Sequence, residues 1–166
     1  MKSRSISYKL QEFKIVPLQE VLVATAPIAD TPEKVVEYFR KISSENPYYN
    51  PSAAEHFWVF FLNTRRKVIG CEMISKGTLD TILVHPREVF RSAIVRNSAA
   101  IIIIHNHPSG DSAPSEADIK VTRDIIKGGQ LLKIELLDHV IIGTPNFDGK
   151  GHRGWSSLRE LGYFYN

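Results

Sequence analysis

"AAIIIIHNHPSGDSAPSEADIKVTRD", residues 99–124, runs from four isoleucines into two histidines one residue apart, then through a Ser-, Pro- and Gly-rich loop to an aspartate. A short apolar run bounded by turn residues reads as a buried strand. Ser115 stands just ahead of a helical pattern as an N-cap, so a helix opens there. The stretch is one strand–loop–helix unit, the kind of piece from which a mixed sheet with flanking helices is built. On a strand, residues i and i+2 share a face, so His105 and His107 reach one point from the strand's end while Asn106 points away.

Asp118 is the third residue of the helix, close to its free N–H groups and positive dipole end. At 3.6 residues per turn it lies on the side of Ala117, Val121 and Ile125. A carboxylate flanking an inward stripe needs a partner, and a divalent cation is one such partner. Two neutral imidazoles and a carboxylate leave the fourth tetrahedral position open, as in a catalytic zinc site. The competing reading takes a buried strand that ends in a polar loop, with Asp118 as an ordinary helix N-terminal acid. A metal hydrolase also needs a general base. Glu72, inside "VIGCEMIS", is the candidate: it shares a strand face with Val68, Gly70 and Ile74 and is expected to face inward or into a cleft. Glu88 and Glu116 fall in the first turns of helices, where a dipole role is the ordinary one.

Outward from this unit the pattern stays mixed. "DTPEKVVEYFRKI" carries Thr31 as N-cap and Pro32 at the first helical position, with Val35, Val36, Tyr38 and Phe39 as its apolar side. "HFWVFFLN" and "KVIGCEMIS" flank residues 63–66 and read as a hairpin. "TILV" reads as a short strand ended by His85-Pro86, and "PREVFRSAIVRNS" as a helix opening on proline. The helix after Ser115 is expected to stop at Gly128-Gly129, with "LLKIELLDHVIIG" returning to β. A Gly-rich loop spans residues 147–154, and "SLRELGYF" is a helical turn or a strand. The expected class is α+β, α/β-like: an N-terminal arm or strand over residues 1–30 and one domain over residues 31–166.

The 166 residues suffice for one domain with a core. Hydrophobic residues at 43% and charged residues at 23% are the balance of a globular chain, not a disordered one. The net charge of +3 is spread along the sequence, so DNA binding is permitted but not indicated. A single cysteine, Cys71, rules out an intramolecular disulfide and a multi-cysteine zinc site, and it reads as core. With no apolar run near the ~20 residues needed to span a bilayer and no signal core, the expected location is the cytoplasm.

"HNHPSGDSAPSEADI" resembles the JAMM (MPN+/JAB) metalloprotease signature, His-x-His followed by Ser-x-x-Asp. More narrowly, "GTLDTILVHPREVFRSAIVRNSAAIIIIHNHPSGDSAPSEADIKVTRDIIKGGQLLKIELLDHVIIG" is similar to the RadC-like branch of JAB domains. The resemblance covers at least residues 55–143. It implies a JAB/MPN domain, a curved mixed β-sheet flanked by helices, with one zinc (Zn2+) per chain. Position by position it implies His105, His107 and Asp118 as zinc ligands, Glu72 as general acid/base, and Ser115 as a stabiliser of the oxyanion. The implied activity is that of a zinc-dependent metallopeptidase or isopeptidase acting on a peptide or protein. The alternative is a DNA-associated, repair-type accessory protein whose zinc site is not proteolytic. RadC-like proteins often carry a helix–hairpin–helix module, and residues 1–30 read as too short and strand-like for one. Asp138 and His139, in "LLDH", are candidates to orient a ligand from behind.

Overall fold

The computed structural model describes residues 27–77 and 84–165. Its elements, in chain order, are α1 (Pro32–Ser44), β1 (Glu55–Leu62), β2 (Val68–Gly77), α2 (Pro86–Val95), β3 (Ala100–Asn106), α3 (Glu116–Leu132), β4 (Glu135–Ile142) and β5 (Trp155–Ser157). The strands form one sheet in the order β2-β1-β3-β4-β5. β3 and β4 run parallel, joined through α3, and the other neighbours are antiparallel. This is the expected α+β class, a mixed open sheet with helices on it.

The isoleucine run is explained by where β3 sits. Ile102 and Ile104 join Val35, Val36 and Phe39 of α1 in one apolar cluster, whereas Ile101 and Ile103 join Val89, Phe90 and Ala93 of α2 and Ile125 of α3 in another. A strand in the middle of the sheet with helices over both faces has no polar side, so alternation disappears. Each such side chain contributes roughly 1.5–3 kcal/mol by leaving water. The histidines at its end therefore sit on a strand held from both sides. β1 follows the same logic, with Phe57, Val59 and Phe61 on one face and Trp58, Phe60 and Leu62 on the other.

Thr31 caps α1, its side chain accepting from the Lys34 N–H, with Pro32 opening the helix as the sequence predicts. The hairpin turn is held by Asn63, whose Oδ1 accepts from the Arg65 and Lys67 amides. Ahead of α1, Ile28 bridges Lys67 and Ala29 enters the core. Residues 1–26 of the arm or strand expected over residues 1–30, and residues 81–83 of the strand expected at "TILV", lie outside the described residues.

α3 departs from expectation in two ways. It continues through Gly128-Gly129 to Leu132 and ends on Lys133 in the left-handed region. The glycines mark close packing, not a stop. A Cβ on Gly128 would lie 2.8 Å from the Phe90 ring, and one on Gly129 would collide with the Ile134 carbonyl oxygen. The buried stripe is also displaced: Ile119, Thr122, Ile125 and Gly129 face inward, and Ala117 is exposed. Asp118 borders the stripe through Thr122, one turn on. No helix among the described residues is long and apolar enough to cross a membrane.

Candidate metal centre

His105 is the penultimate residue of β3 and almost fully buried, and His107 follows the strand with its amide still bonded to the Ile142 carbonyl. The loop after it is pinned rather than free. Gly110, at φ 87°, accepts from the Thr144 amide through its carbonyl, at a spot where a Cβ would meet the Thr144 hydroxyl at 2.9 Å. That turn brings the Asp111 carbonyl to 2.8 Å from His107 Nδ1. A carbonyl only accepts, so Nδ1 of His107 carries a proton, and in the neutral ring Nε2 keeps a free lone pair.

Ser115 closes the loop as the N-cap of α3 in a reciprocal capping box. Its Oγ accepts from the Asp118 amide at 3.2 Å, while Asp118 Oδ2 accepts from the Ser115 amide at 2.7 Å and from the Ser115 hydroxyl at 2.6 Å. Two donors thus fix one carboxylate oxygen, Oδ2, and leave Oδ1 turned toward His105.

The cluster closes tightly. His105 Nε2 is 3.0 Å from His107 Nε2 and 3.1 Å from Asp118 Oδ1, and His107 Nε2 is 3.4 Å from Asp118 Oδ2. One ligand atom from each residue lies within 4.8 Å of the others. A tetrahedral zinc with bonds of about 2.0–2.1 Å would hold its ligand atoms roughly 3.3 Å apart. The donor set fits that ion by chemistry and by spacing, and three protein ligands leave a fourth position open. Burial alone would push the Asp118 carboxyl up, but the two imidazoles and Ser115 outweigh it and hold the group far below the usual carboxylate range. Burial likewise opposes protonation of His107, yet Asp118, the Asp111 carbonyl and the charge of Glu55 together raise its pKa.

Behind His105 stands His139, with its Nε2 at 2.8 Å from His105 Nδ1 and its Nδ1 at 2.7 Å from the Thr122 hydroxyl. It is completely buried, and burial pushes its pKa well below the ordinary value. Phe57 stacks alongside His105 at 6.0 Å between ring centroids and presents an edge to His139. Asp138 is not part of this cluster. The β3–β4 pairing skips Leu137, so Asp138 stands opposite Ile102 on the α1 side. There it accepts from the Ser157 hydroxyl and from the His139 and Arg159 amides, and burial pushes its carboxyl up to about 6.

The structure thus brings His105, His107, Asp118 and Ser115 together, and it places Glu72 elsewhere. Glu72 pairs with Val59 on β1, which pairs with Ile103 on β3. It is two strands from His105, about 10 Å sideways, and one pleat repeat back along the sheet. Its carboxylate is half exposed and pairs with Arg96 at 3.1 Å, beyond the end of α2. A bulge between Phe61 and Leu62 also puts Val68 on the opposite face from Glu72. Ser115 differs in kind from its expected role as well: its single hydroxyl proton is directed at Asp118 Oδ2, so here it orients a ligand carboxylate.

Among the described strand residues, the acid that the register brings to the cluster is Glu55. Phe57 pairs with His105 in the antiparallel β1–β3 ladder, so Glu55, two residues earlier and on the same face, comes alongside His107. It is half-buried, and its charge reaches His107. Asn106, the residue between the histidines, holds this edge in place from the other face. Its Oδ1 accepts from the His56 amide at 2.9 Å, and its Nδ2 donates to the Pro51 and Ala54 carbonyls at 2.9 Å each. Glu55 is missed by the sequence because its partner strand is not written there. The available signal is an acid at the mouth of an apolar strand, the same kind of position that the histidines occupy. Cys71 packs against the α1-side core, with its thiol pushed up to about 11 by burial, as a core residue should be.

Residues 29–163 match the model of the RadC-like JAB domain family. A UPF0758 protein of Caldanaerobacter subterraneus subsp. tengcongensis is 51% identical over 110 residues, covering 66% of this chain and 44% of that protein. One from Desulfitobacterium hafniense is 47% identical over 128 residues, covering 77% of this chain and 54% of its own length. One from Methanosarcina mazei is 42% identical over 136 residues, covering 78% of this chain and 56% of its own length. The chain spans about half the length of these relatives. With the family model covering most of its length, the chain belongs to the RadC-like JAB domain family.

Proposed function

We propose that this chain is a zinc-dependent hydrolase of peptide or isopeptide bonds, acting in the cytoplasm, with Glu55 as its general acid/base. The carrying observation is the convergence of His105 Nε2, His107 Nε2 and a carboxylate oxygen of Asp118 at spacings that suit one tetrahedral ion. A zinc ion held by these three side chains supplies Lewis-acid activation of water and of a substrate carbonyl. His105 and Asp118 are held rigidly by β3 and by the capping box, which fixes where that activation is delivered.

Glu55, at the open edge beside His107, takes the proton from the attacking water and returns it to the leaving nitrogen. A carboxylate suits both steps because it accepts in the first and donates in the second. Ser115 keeps Asp118 turned to the ion, and it serves the oxyanion only by turning its hydroxyl away from Asp118 Oδ2. Glu72, tied to Arg96, has no part in the chemistry.

Incubating the zinc-loaded protein with a peptide library, followed by mass spectrometry, tests the reading. New cleavage products are expected, lost on chelation and restored by zinc. Cleavage that survives exhaustive chelation would refute metal-dependent hydrolysis.

A further inference from the structure

Thr122, His139 and His105 form a buried chain that ends at the proposed ligand atom, and its first link has only one possible direction. The Thr122 hydroxyl lies 2.7 Å from the Asp118 backbone carbonyl and 2.7 Å from His139 Nδ1. A carbonyl cannot donate, so the single Thr122 proton goes to it, and Thr122 Oγ1 accepts from His139 Nδ1–H. His139 is wholly buried and its ring touches no carboxylate, so it stays neutral, and its Nε2 is then an acceptor. At 2.8 Å from that nitrogen, His105 Nδ1 must be the donor. In the neutral His105 ring Nε2 is then the atom without a proton, 3.1 Å from Asp118 Oδ1 and 3.0 Å from His107 Nε2.

We infer that Thr122 and His139 are positioning residues that lock His105 in the tautomer able to bind metal, with the proton order set by the Asp118 carbonyl at the start of α3. The same residue thus supplies a ligand through its carboxylate and orders a second ligand through its backbone. Without the Thr122 hydroxyl, His139 Nδ1–H has no acceptor, and His139 does better as the Nε2–H tautomer. That proton then meets His105 Nδ1 and forces His105 to carry its own proton on Nε2, where it blocks the metal. Partners behind ligating histidines typically change metal affinity about 10–100-fold.

The inference rests on reading the cluster as a metal centre, so the test has one arm that does not use metal. Thr122→Val removes the hydroxyl at constant shape, Thr122→Ala removes it without a new methyl against His139, and Thr122→Ser restores it. Long-range 15N–1H spectra of the metal-free, histidine-labelled protein should show a proton on His105 Nδ1 in the parent and Thr122→Ser, and on Nε2 alone in Thr122→Val and Thr122→Ala. Zinc titration should show the latter two weakened about 10–100-fold and Thr122→Ser within about threefold of the parent. A His105 tautomer unchanged in both hydroxyl-free variants would overturn the inference, as would equal weakening in Thr122→Ser. If the parent binds no zinc, the metal reading fails, and the tautomer arm still decides the relay.

Discussion

Glu55→Gln should keep its zinc and lose peptide hydrolysis by roughly 10²–10⁴-fold, the usual contribution of a positioned acid/base. Gln has the shape of Glu but neither accepts a proton at neutral pH nor gives one up. Because Glu55 lies on β1 and is not among the three clustered ligand residues, metal affinity should hold within a few-fold. Glu72→Gln is the matched control. It breaks a half-exposed ion pair with Arg96 and should leave hydrolysis within about twofold of the parent. Steady-state rates of the two variants on one cleaved peptide, beside their zinc content, make the comparison. The reverse pattern, with Glu72→Gln inactive and Glu55→Gln active, would return the base to the middle of β2.

His107→Ala should lower zinc affinity by roughly two to three orders of magnitude, about the share of one ligand in the ~10–16 kcal/mol released by four-ligand zinc sites. His107 is the cleaner ligand to remove, because it is more exposed than His105 and packs less tightly. The remaining two ligands cannot close the site. In the parent, protons compete with metal at the same nitrogen. His107 holds its proton more firmly than an ordinary imidazole in the metal-free protein, since Asp118 and the Asp111 carbonyl outweigh its burial. As the pH is lowered, apparent zinc affinity should therefore start to fall while still above pH 6.5 and keep falling below it, because protonated His107 cannot bind the metal. Competition titrations with a chromophoric chelator at several pH values measure both effects.

The parts of the molecule legible in the sequence are those decided locally. The isoleucine run reads as a buried strand and Ser115 with Asp118 as a helix start, because neither reading depends on distant pairing, whereas burial on both faces appears only once the sheet is assembled. Asn106 was legible only as pointing away, since its task of holding residues 51–56 lies on another strand. The end of α3 was misread because glycine serves two purposes. At Gly128 and Gly129 it admits the Phe90 ring and the Ile134 carbonyl instead of ending the helix. Glu72 looked inward by alternation, yet alternation says nothing about which strand lies beside which. The order β2-β1-β3 places β1 between Glu72 and the histidines and brings Glu55 to them instead. Likewise the Thr122–His139 link joins residues of a helix and a strand whose spacing of 17 in sequence carries no pattern.

Elemental analysis of protein purified without chelator and loaded with zinc tests the central claim most directly. About one zinc per chain is predicted for the parent, and substoichiometric metal for His107→Ala under the same dialysis. A parent that retains no metal, or a His107→Ala variant that retains as much as the parent, would contradict a metal centre at His105, His107 and Asp118.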